Sequence, residues 1–290
     1  MISNLSLEFV CEKTASLPCA PDLLPQIISL MNQPEVVSSS LIALVSRDPG
    51  STAAILRLAN SAYFRGTKCN SLDEAFLRLG SNEIYKLMAR GLVGRWMSAP
   101  VEGYGWAPGD LCTHSFIVAI AAETLARKRG GMDPKDVYTA GLLHDIGKLG
   151  MAHACGQHFD KVRKLQEESG RSWRVLEREV FGFDHTEVAA ALLRKWNFPI
   201  PLVQVVAYYP KPRSVQGPNR PLIVLVHAAK KIACDVRFGV GDDGFQKELD
   251  EDLLAEEGYV PDFVDPLLPE IIAEAENSIG GEGAVSASAG

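Results

Sequence analysis

The sequence has few cysteines and no long apolar run. Six cysteines are scattered over 290 residues, and no two of them form a C-x-x-C pair. This distribution excludes a zinc ribbon or a disulfide scaffold, and we expect reduced thiols. No segment approaches the roughly 18 to 20 consecutive apolar residues that a membrane span requires. Residues 1–10 also lack the basic start and apolar core of a signal peptide. We therefore expect a cytoplasmic protein with no membrane partner.

Dense runs of lysine and arginine are absent, so we expect no direct nucleic-acid binding. The net charge of −7 is nevertheless unevenly distributed. Residues 242–290 contain fourteen Asp or Glu and one Lys, a net charge of −13, which leaves +6 for residues 1–241. Such an acidic extension either covers basic surface of the body or stays solvated, and the sequence leaves both interpretations open.

Nucleotide-loop and serine-hydrolase motifs are missing as well. The sequence contains no G-x-x-x-x-G-K-[ST], G-x-G-x-x-G or G-x-S-x-G, so P-loop, Rossmann and serine-hydrolase functions have no support. Helical periodicity is present instead. Apolar residues such as Leu24, Ile27, Ile28 and Met31 recur at three- and four-residue steps, and no segment alternates with period two. The pattern predicts an all-α fold, a helical bundle of two lobes.

Residues 98–109 mark the predicted boundary between the lobes, because they hold two prolines and three glycines in twelve positions. We predict an N-terminal helical lobe over residues 1–98 and a second helical lobe over 99–240. An acidic C-terminal extension follows over 241–290. Its Gly-, Ala- and Ser-rich end, residues 277–290, is expected to be disordered.

The most informative segment for chemistry is GLLHDIGK, residues 141–148. It places His144 and Asp145 next to each other at the end of an apolar helix. An imidazole and a carboxylate together can bind a divalent cation such as Fe²⁺, Mn²⁺, Zn²⁺ or Mg²⁺. A carboxylate among so many apolar residues needs a cation, a hydrogen-bond donor or water, because its burial alone is costly.

This segment resembles the HD superfamily of metal-dependent phosphohydrolases, in which an upstream His, the His-Asp pair and a downstream Asp hold a metal. The resemblance assigns His114, in LCTHSFIVA, as the upstream ligand. It assigns His185, in GFDHTEVAAALL, as the additional His of two-metal members. Asp184 either orients the His185 imidazole or caps the helix that follows.

The order of motifs narrows the resemblance. LPCAPDLLPQIISLM, VSRDPGSTAAILRLANSAYF and AFLRLGSNEIYKLM precede the HD-like half. This order is similar to the HDOD family of bacterial signalling output proteins over about residues 10–240. The resemblance implies an all-helical fold and a role in signal transduction. It also implies that the chain acts by binding a signalling protein partner or a regulatory nucleotide.

One ligand position departs from the HD pattern. Where metal-binding members provide an Asp on a late helix, this sequence has LVHAAK, with Lys230, or else Ala229, at the corresponding position. A lysine ammonium has no lone pair to give to a metal. Two interpretations stay open: His114, His144 and Asp145, with His185 as a fourth ligand, hold one divalent metal, or Lys230 forms an ion pair with Asp145 that replaces the metal.

Two functions follow from these interpretations. The first is a non-catalytic regulatory output module that binds a partner protein or a nucleotide. The alternative is a divalent-metal-dependent phosphohydrolase or cyclic-dinucleotide phosphodiesterase. In that case Asp145 and Lys148 are the catalytic residues. Asp145 helps to hold the metal that activates the attacking water, and Lys148, four residues after His144, lies near the phosphate.

Overall fold

The computed structural model describes residues 5–15, 23–33, 38–61, 64, 68–98, 100–236, 241 and 249–276. Within these ranges the regular secondary structure is helical, with one isolated antiparallel bridge between Val101 and Trp106 and no strand. The predicted all-α class is therefore confirmed. In the same ranges, no helix combines the length and the apolar character needed to cross a bilayer. The cysteines of the described residues form no disulfide.

The α-helices, in chain order, are α1 (Leu7–Ala15), α2 (Leu23–Met31), α3 (Ser38–Val45), α4 (Pro49–Ala59), α5 (Leu72–Met97), α6 (Asp110–Arg129), α7 (Pro134–Leu143), α8 (Ile146–Cys155), α9 (Phe159–Ser169), α10 (Trp173–Phe181), α11 (His185–Lys195), α12 (Ile200–Tyr208), α13 (Arg220–Asp235), α14 (Glu251–Glu256) and α15 (Pro261–Val264). Residues 268–276 are also helical. Gly80 interrupts α5 with φ 78° and ψ 160°. Its missing Cβ makes that conformation accessible, so the first part of α5 ends there.

One compact unit comprises Pro18–Trp96 and Trp196–Phe198. It contains α2, α3 and α4 and most of α5, whose apolar faces bury residues such as Ile27, Leu41 and Ile55. The Asp48 carboxylate begins α4 by accepting a 3.0 Å hydrogen bond from the Ser51 backbone N–H. This contact satisfies a backbone donor that the first helical turn leaves without a partner.

The other unit comprises Met1–Leu17, Met97–Lys195 and Pro199–Gly290. Within it α6 packs against α7 and α13, and α8 packs against α11 and α1. Two glycines permit this close packing. A Cβ at Gly141 would lie 2.8 Å from Cα of Ala119, and a Cβ at Gly147 would lie 1.8 Å from the carbonyl oxygen of His185. This unit also includes α1. The lobe boundary at residue 98 remains a prediction.

The described part of the acidic extension, residues 249–276, packs on this second unit. Leu253, Leu254 and Ile271 are buried there, and Arg213 pairs with carboxylates of the extension. The sequence leaves two interpretations of the acidic charge open. The ion pairs of the described residues agree with the one in which the extension covers basic surface. The end predicted to be disordered, residues 277–290, lies outside the described residues.

Candidate functional site

The His-Asp pair forms the turn between two buried helices. Helix α7 ends at Leu143 and α8 begins at Ile146, so His144 and Asp145 stand between them with no exposed surface. Asp133 caps the start of α7, and Pro134 is the first residue of the helix. The turn lies inside the core because both helices are apolar on nearly all sides.

The structure brings three of the predicted ligands together. One ligand atom from each of His114, His144 and Asp145 lies within 4.8 Å of the other two, and all three residues are buried. Nδ1–H of His144 donates a 2.7 Å hydrogen bond to the Gly141 carbonyl oxygen. This contact turns Nε2 of His144 toward Oδ2 of Asp145, at 3.2 Å. The spacing is compatible with a metal site.

His114 has a different environment. Its ring packs edge-on against Trp106, with 5.3 Å between centroids, and lies 5.4 Å from the His144 ring. Neither ring nitrogen of His114 has a hydrogen-bond partner among the described residues, although the residue is only 2% exposed. Burial, reinforced by the Lys230 ammonium, lowers the pKa of His114 well below its ordinary value. His114 is therefore a neutral imidazole.

Asp145 is surrounded by three donors. Nζ of Lys148 donates to Oδ2 at 2.7 Å, and Nζ of Lys230 donates to the same oxygen at 2.6 Å. The Tyr209 hydroxyl donates to Oδ1. The Lys230 ammonium also lies 3.5 Å from Nε2 of His144. The ion pair between Lys230 and Asp145, which one of the two interpretations of the sequence predicts, is thus present. Lys148 forms a second ion pair with the same carboxylate oxygen.

These contacts fix the protonation of the pair. Burial by itself would raise the pKa of Asp145, but its contacts with His144, Lys148 and Lys230 outweigh burial and hold it well below the ordinary value. Burial lowers the pKa of His144, which the attraction of Asp145 only partly offsets. At neutral pH the turn therefore carries an ionised Asp145.

His185 is not a member of this group of ligand atoms. Its Nδ1–H and its backbone N–H both donate to Oε2 of Glu177, each at 2.8 Å. The Tyr104 hydroxyl donates to the other oxygen, Oε1, at 2.6 Å. Burial would lower the pKa of His185, but the fully buried Glu177 raises it above the ordinary value. Glu177 therefore orients this imidazole and favours its protonated form.

Asp184 performs the capping role. Its Oδ1 accepts hydrogen bonds from the backbone N–H groups of Thr186 and Glu187, at 3.0 and 3.2 Å. Its Oδ2 pairs with Arg178 at 3.0 Å. Of the two roles left open by the sequence, the structure shows the helix cap, while Glu177 takes the orienting role.

Two residues of this network were not predicted from the sequence. Glu177 stands at a core position of α10, between the buried Trp173, Leu176 and Val180. A carboxylate inside such an apolar stripe is a signal that could have been used. Tyr209 lies 64 residues from Asp145 in sequence, and no local pattern indicates that their side chains meet.

Aromatic rings line the two ammonium groups. Nζ of Lys148 lies 5.3 Å from the Trp106 ring centroid and 5.8 Å from that of Tyr104. Nζ of Lys230 lies 5.4 Å from the Tyr209 ring centroid. These distances permit cation–π attraction, which offsets part of the cost of burying the charges. Trp106 and Tyr104 come from residues 98–109, so this segment contributes directly to the site.

The family follows from the whole pattern of the sequence. The sequence pattern of the HDOD domain matches residues 17–212. The chain belongs to the HDOD domain family. This confirms the resemblance inferred from the ordered motifs and from GLLHDIGK. Lys230, whose ammonium contacts Asp145, lies beyond the matched range.

The HDOD chain is also similar to a curated protein of Treponema pallidum (strain Nichols), described only as uncharacterized. The two are 25% identical over 240 residues, which is 82% of this chain and 45% of that protein. The chain thus spans less than half the length of the curated relative that it matches.

Solved structures share the fold. An HDOD domain protein with unknown function from Geobacter sulfurreducens has a TM-score of 0.71 at 24% identity, covering 93% of this chain and 97% of its own. A protein of Shewanella amazonensis SB2B, provisionally named a phosphohydrolase, has a TM-score of 0.66 at 25% identity, covering 93% and 94%. A protein of Marinobacter aquaeolei VT8, provisionally named a signal transduction protein, has a TM-score of 0.74 at 23% identity, covering 93% and 60%. The HDOD chain therefore has the fold of an HD-related domain.

Proposed function

We propose that this HDOD chain is a regulatory output domain in which a metal-free polar network replaces the metal centre of the HD superfamily. It acts in the cytoplasm by binding a signalling protein partner or a regulatory nucleotide, and it does not hydrolyse a substrate. The observation that carries this proposal is the double ion pair of Asp145 with Lys148 and Lys230.

The contacts of Asp145 argue against a bound cation. A divalent ion on Oδ2 would stand next to two ammonium groups, which repel it strongly in a low-dielectric core. Neither ammonium can serve as a ligand in place of the Asp that metal-binding members carry. Among the described residues, His114, His144 and Asp145 are joined by no second carboxylate. The residues present therefore do not fit a resident metal.

The charge of Asp145 is compensated without a cation. Its carboxylate pairs with the ammonium groups of both Lys148 and Lys230. A buried ion pair is tolerated when its charges are compensated and hydrogen-bonded, which is the case for Asp145. A divalent ion added beside Asp145 would leave this group with excess positive charge.

A second candidate function has one observation in its favour. The spacing of His114, His144 and Asp145 is compatible with a metal, and one relative of the same fold is provisionally named a phosphohydrolase. In that function these three residues, with His185, would hold the metal, and Asp145 and Lys148 would be catalytic. It requires both lysines to leave Asp145, at the cost of two buried ion pairs.

Hydrolysis assays separate the two functions. The full chain is incubated with cyclic dinucleotides and with nucleoside phosphates in the presence of Mn²⁺, in parallel with Asp145→Asn. We expect the same background release of product from both proteins. Turnover by the wild-type chain that Asp145→Asn abolishes would overturn the regulatory proposal in favour of the phosphohydrolase.

A further inference from the structure

The acidic extension occupies a cationic surface of the unit that carries the site. We call residues 249–276 the acidic segment. We call the surface that it covers the basic face, which comprises Arg127, Arg129, Arg213, Arg220 and Lys231.

Arg213 makes the most specific contacts between the two. Its guanidinium binds Asp250 through Nε and Nη2, at 2.7 and 3.4 Å, and Glu256 through Nη1 and Nη2, at 2.8 and 3.0 Å. One planar fork thus holds two carboxylates in bidentate geometry, an arrangement that fixes orientation as well as charge. Arg220 binds Glu257 at 2.6 Å, which extends the same row of contacts.

The far end of the acidic segment is held in the same manner. Arg127 binds Glu270 at 2.7 Å, and the Arg129 guanidinium lies 4.6 Å from the centroid of the Tyr259 ring. The basic face therefore contacts the acidic segment from Asp250 to Glu274 mainly through arginines. Lys231 lies at the edge, 3.7 Å from Glu251.

Apolar side chains anchor the acidic segment between these ion pairs. Leu253 and Leu254 are 1% and 3% exposed, and Ile271 is fully buried. An occupant of the basic face must therefore provide both carboxylates and apolar side chains at helical spacing. An acidic amphipathic protein helix meets this requirement, whereas a polynucleotide provides the charge without the apolar anchors.

The helices of the acidic segment are short. Helix α14 has six residues, α15 has four, and residues 268–276 add nine helical residues. An isolated helix becomes marginally stable in water only at roughly 12 to 15 residues, so the order of the acidic segment depends on contact with the basic face. A segment that folds only when it docks can be displaced by a competitor that carries the same pattern of carboxylates and apolar side chains.

A hydrogen-bonded chain connects the acidic segment to the polar site. The Asp250 backbone N–H donates to Nε2 of His227 at 2.9 Å, and Nδ1–H of His227 donates to the Tyr209 carbonyl oxygen at 2.8 Å. The Tyr209 hydroxyl in turn donates to Asp145. Docking at the basic face and the conformation around Asp145 thus share the residue Tyr209.

We propose that the basic face is a docking surface for an acidic amphipathic helix of a partner protein, and that residues 249–276 occupy it in cis until such a helix displaces them. The proposal rests on the regulatory function above and names the surface and the chemistry of the partner. Peptide binding needs no metal and no turnover, so its failure is distinguishable from a failure of that function.

The first test uses a fluorescent peptide of residues 249–276 and the full chain. Leu254→Asp weakens the docking of the acidic segment in cis and leaves the basic face intact. We expect this variant to bind the peptide at least about tenfold more tightly than the wild type, because the face is then free more of the time. Adding Arg213→Gln to Leu254→Asp removes this gain.

Asp252→Asn is the matched control, since Asp252 is an exposed carboxylate of the same helix. We expect it to bind the peptide as the wild type does. Equal affinity of Leu254→Asp and the wild type would overturn the proposal, as would a gain that does not depend on Arg213. A single-stranded oligonucleotide that binds in an Arg213-dependent manner where the peptide does not would also overturn the assignment to a protein partner.

The second test needs no substitution. In hydrogen exchange of the unmodified chain, the Leu254 and Glu257 amides, bonded to Asp250 and Leu253 carbonyl oxygens, should exchange at least about 100-fold faster than the buried amides of α13. Excess unlabelled peptide should change the exchange of the acidic segment and not of α13. Equal protection of α14 and α13 would show that the acidic segment is an integral part of the fold and would overturn the proposal.

Discussion

The Lys230 ammonium lies 2.6 Å from Oδ2 of Asp145. The resemblance to the HD superfamily places Lys230 where metal-binding members carry an acidic ligand. An acidic residue there would add a ligand for a cation, whereas the lysine satisfies Asp145 itself. Under the proposed function, the His-Asp turn of GLLHDIGK is a buried ion-pair network that stabilises the junction of α7 and α8.

Removing the Asp145 carboxylate tests this structural role. Asp145→Ala leaves the Lys148 and Lys230 ammonium groups without their shared partner, one of them 2% exposed. We expect the free energy of unfolding in urea to fall by about 3–5 kcal/mol, the usual cost of breaking a buried pair from one side. Asp160→Ala removes a carboxylate that is 92% exposed and paired with Arg163. That control should cost less than about 1 kcal/mol, and equal costs for both variants would contradict the structural role.

The Tyr209 hydroxyl makes a separate contribution. Tyr209→Phe keeps the ring and removes the donor to Oδ1 of Asp145. Loss of a hydrogen bond to a buried carboxylate is expected to lower the free energy of unfolding by about 1.5–3 kcal/mol. The neighbouring Tyr208 is 43% exposed, so Tyr208→Phe should have little effect in the same denaturation experiment. A smaller loss for Tyr209→Phe than for Tyr208→Phe would speak against this contact.

The pair of Glu177 and His185 predicts a pH dependence of stability. Burial opposes protonation of His185, but Glu177 raises its pKa above the ordinary 6.5. A raised folded-state pKa gives stability that is fully present below the unfolded pKa and is lost as pH rises through the folded value. The gap in unfolding free energy between wild type and Glu177→Gln should therefore shrink as the pH rises above about 6.5, the ordinary pKa of histidine. Chemical denaturation at several pH values measures this gap, and a constant gap would contradict the assignment.

Gly147 tests the close packing of α8 on α11. A Cβ there would lie 1.8 Å from the His185 carbonyl oxygen and 2.7 Å from the Ala189 backbone nitrogen, and backbone atoms cannot move aside as a side chain does. We expect Gly147→Ala to lower the free energy of unfolding by about 3 kcal/mol or more. The matched control is Gly156→Ala, whose Cβ would meet nothing closer than 3.6 Å. If both variants melt at the wild-type temperature, the two helices are not in such close contact.

Much of this structure follows from short-range patterns in the sequence. The three- and four-residue periodicity predicts the helices. A glycine such as Gly80, where α5 breaks, and an Asp-Pro step such as Asp133-Pro134, where α7 begins, are local signals of helix ends. These features depend on neighbours within a few residues, which the sequence displays directly.

The partners of the site residues could not be predicted in the same way. The Lys230–Asp145 pair was one of two interpretations, and the second ammonium, from Lys148, points to the same oxygen because of the turn geometry at Asp145. His185 contacts Glu177 across the short turn that joins α10 to α11. Helical periodicity does not encode the direction of that turn. The charge asymmetry indicated an acidic extension, but its partner Arg213 lies 37 residues before Asp250 in the chain.

Under the proposed function, Lys148 and Lys230 occupy the place of a metal. A single substitution provides a sensitive comparison: Lys230→Asp supplies the missing carboxylate beside His114, His144 and Asp145, and it should bind Zn²⁺ or Mn²⁺ more tightly than the wild type. Lys231→Asp, one position along the helix and paired with Asp235, should not gain this binding.

The most direct measurement is the metal content of the full wild-type chain, purified without chelator and analysed by inductively coupled plasma mass spectrometry. We expect far less than one transition-metal ion per chain, unchanged in His144→Ala. One ion per chain that is lost in His144→Ala would contradict the claim.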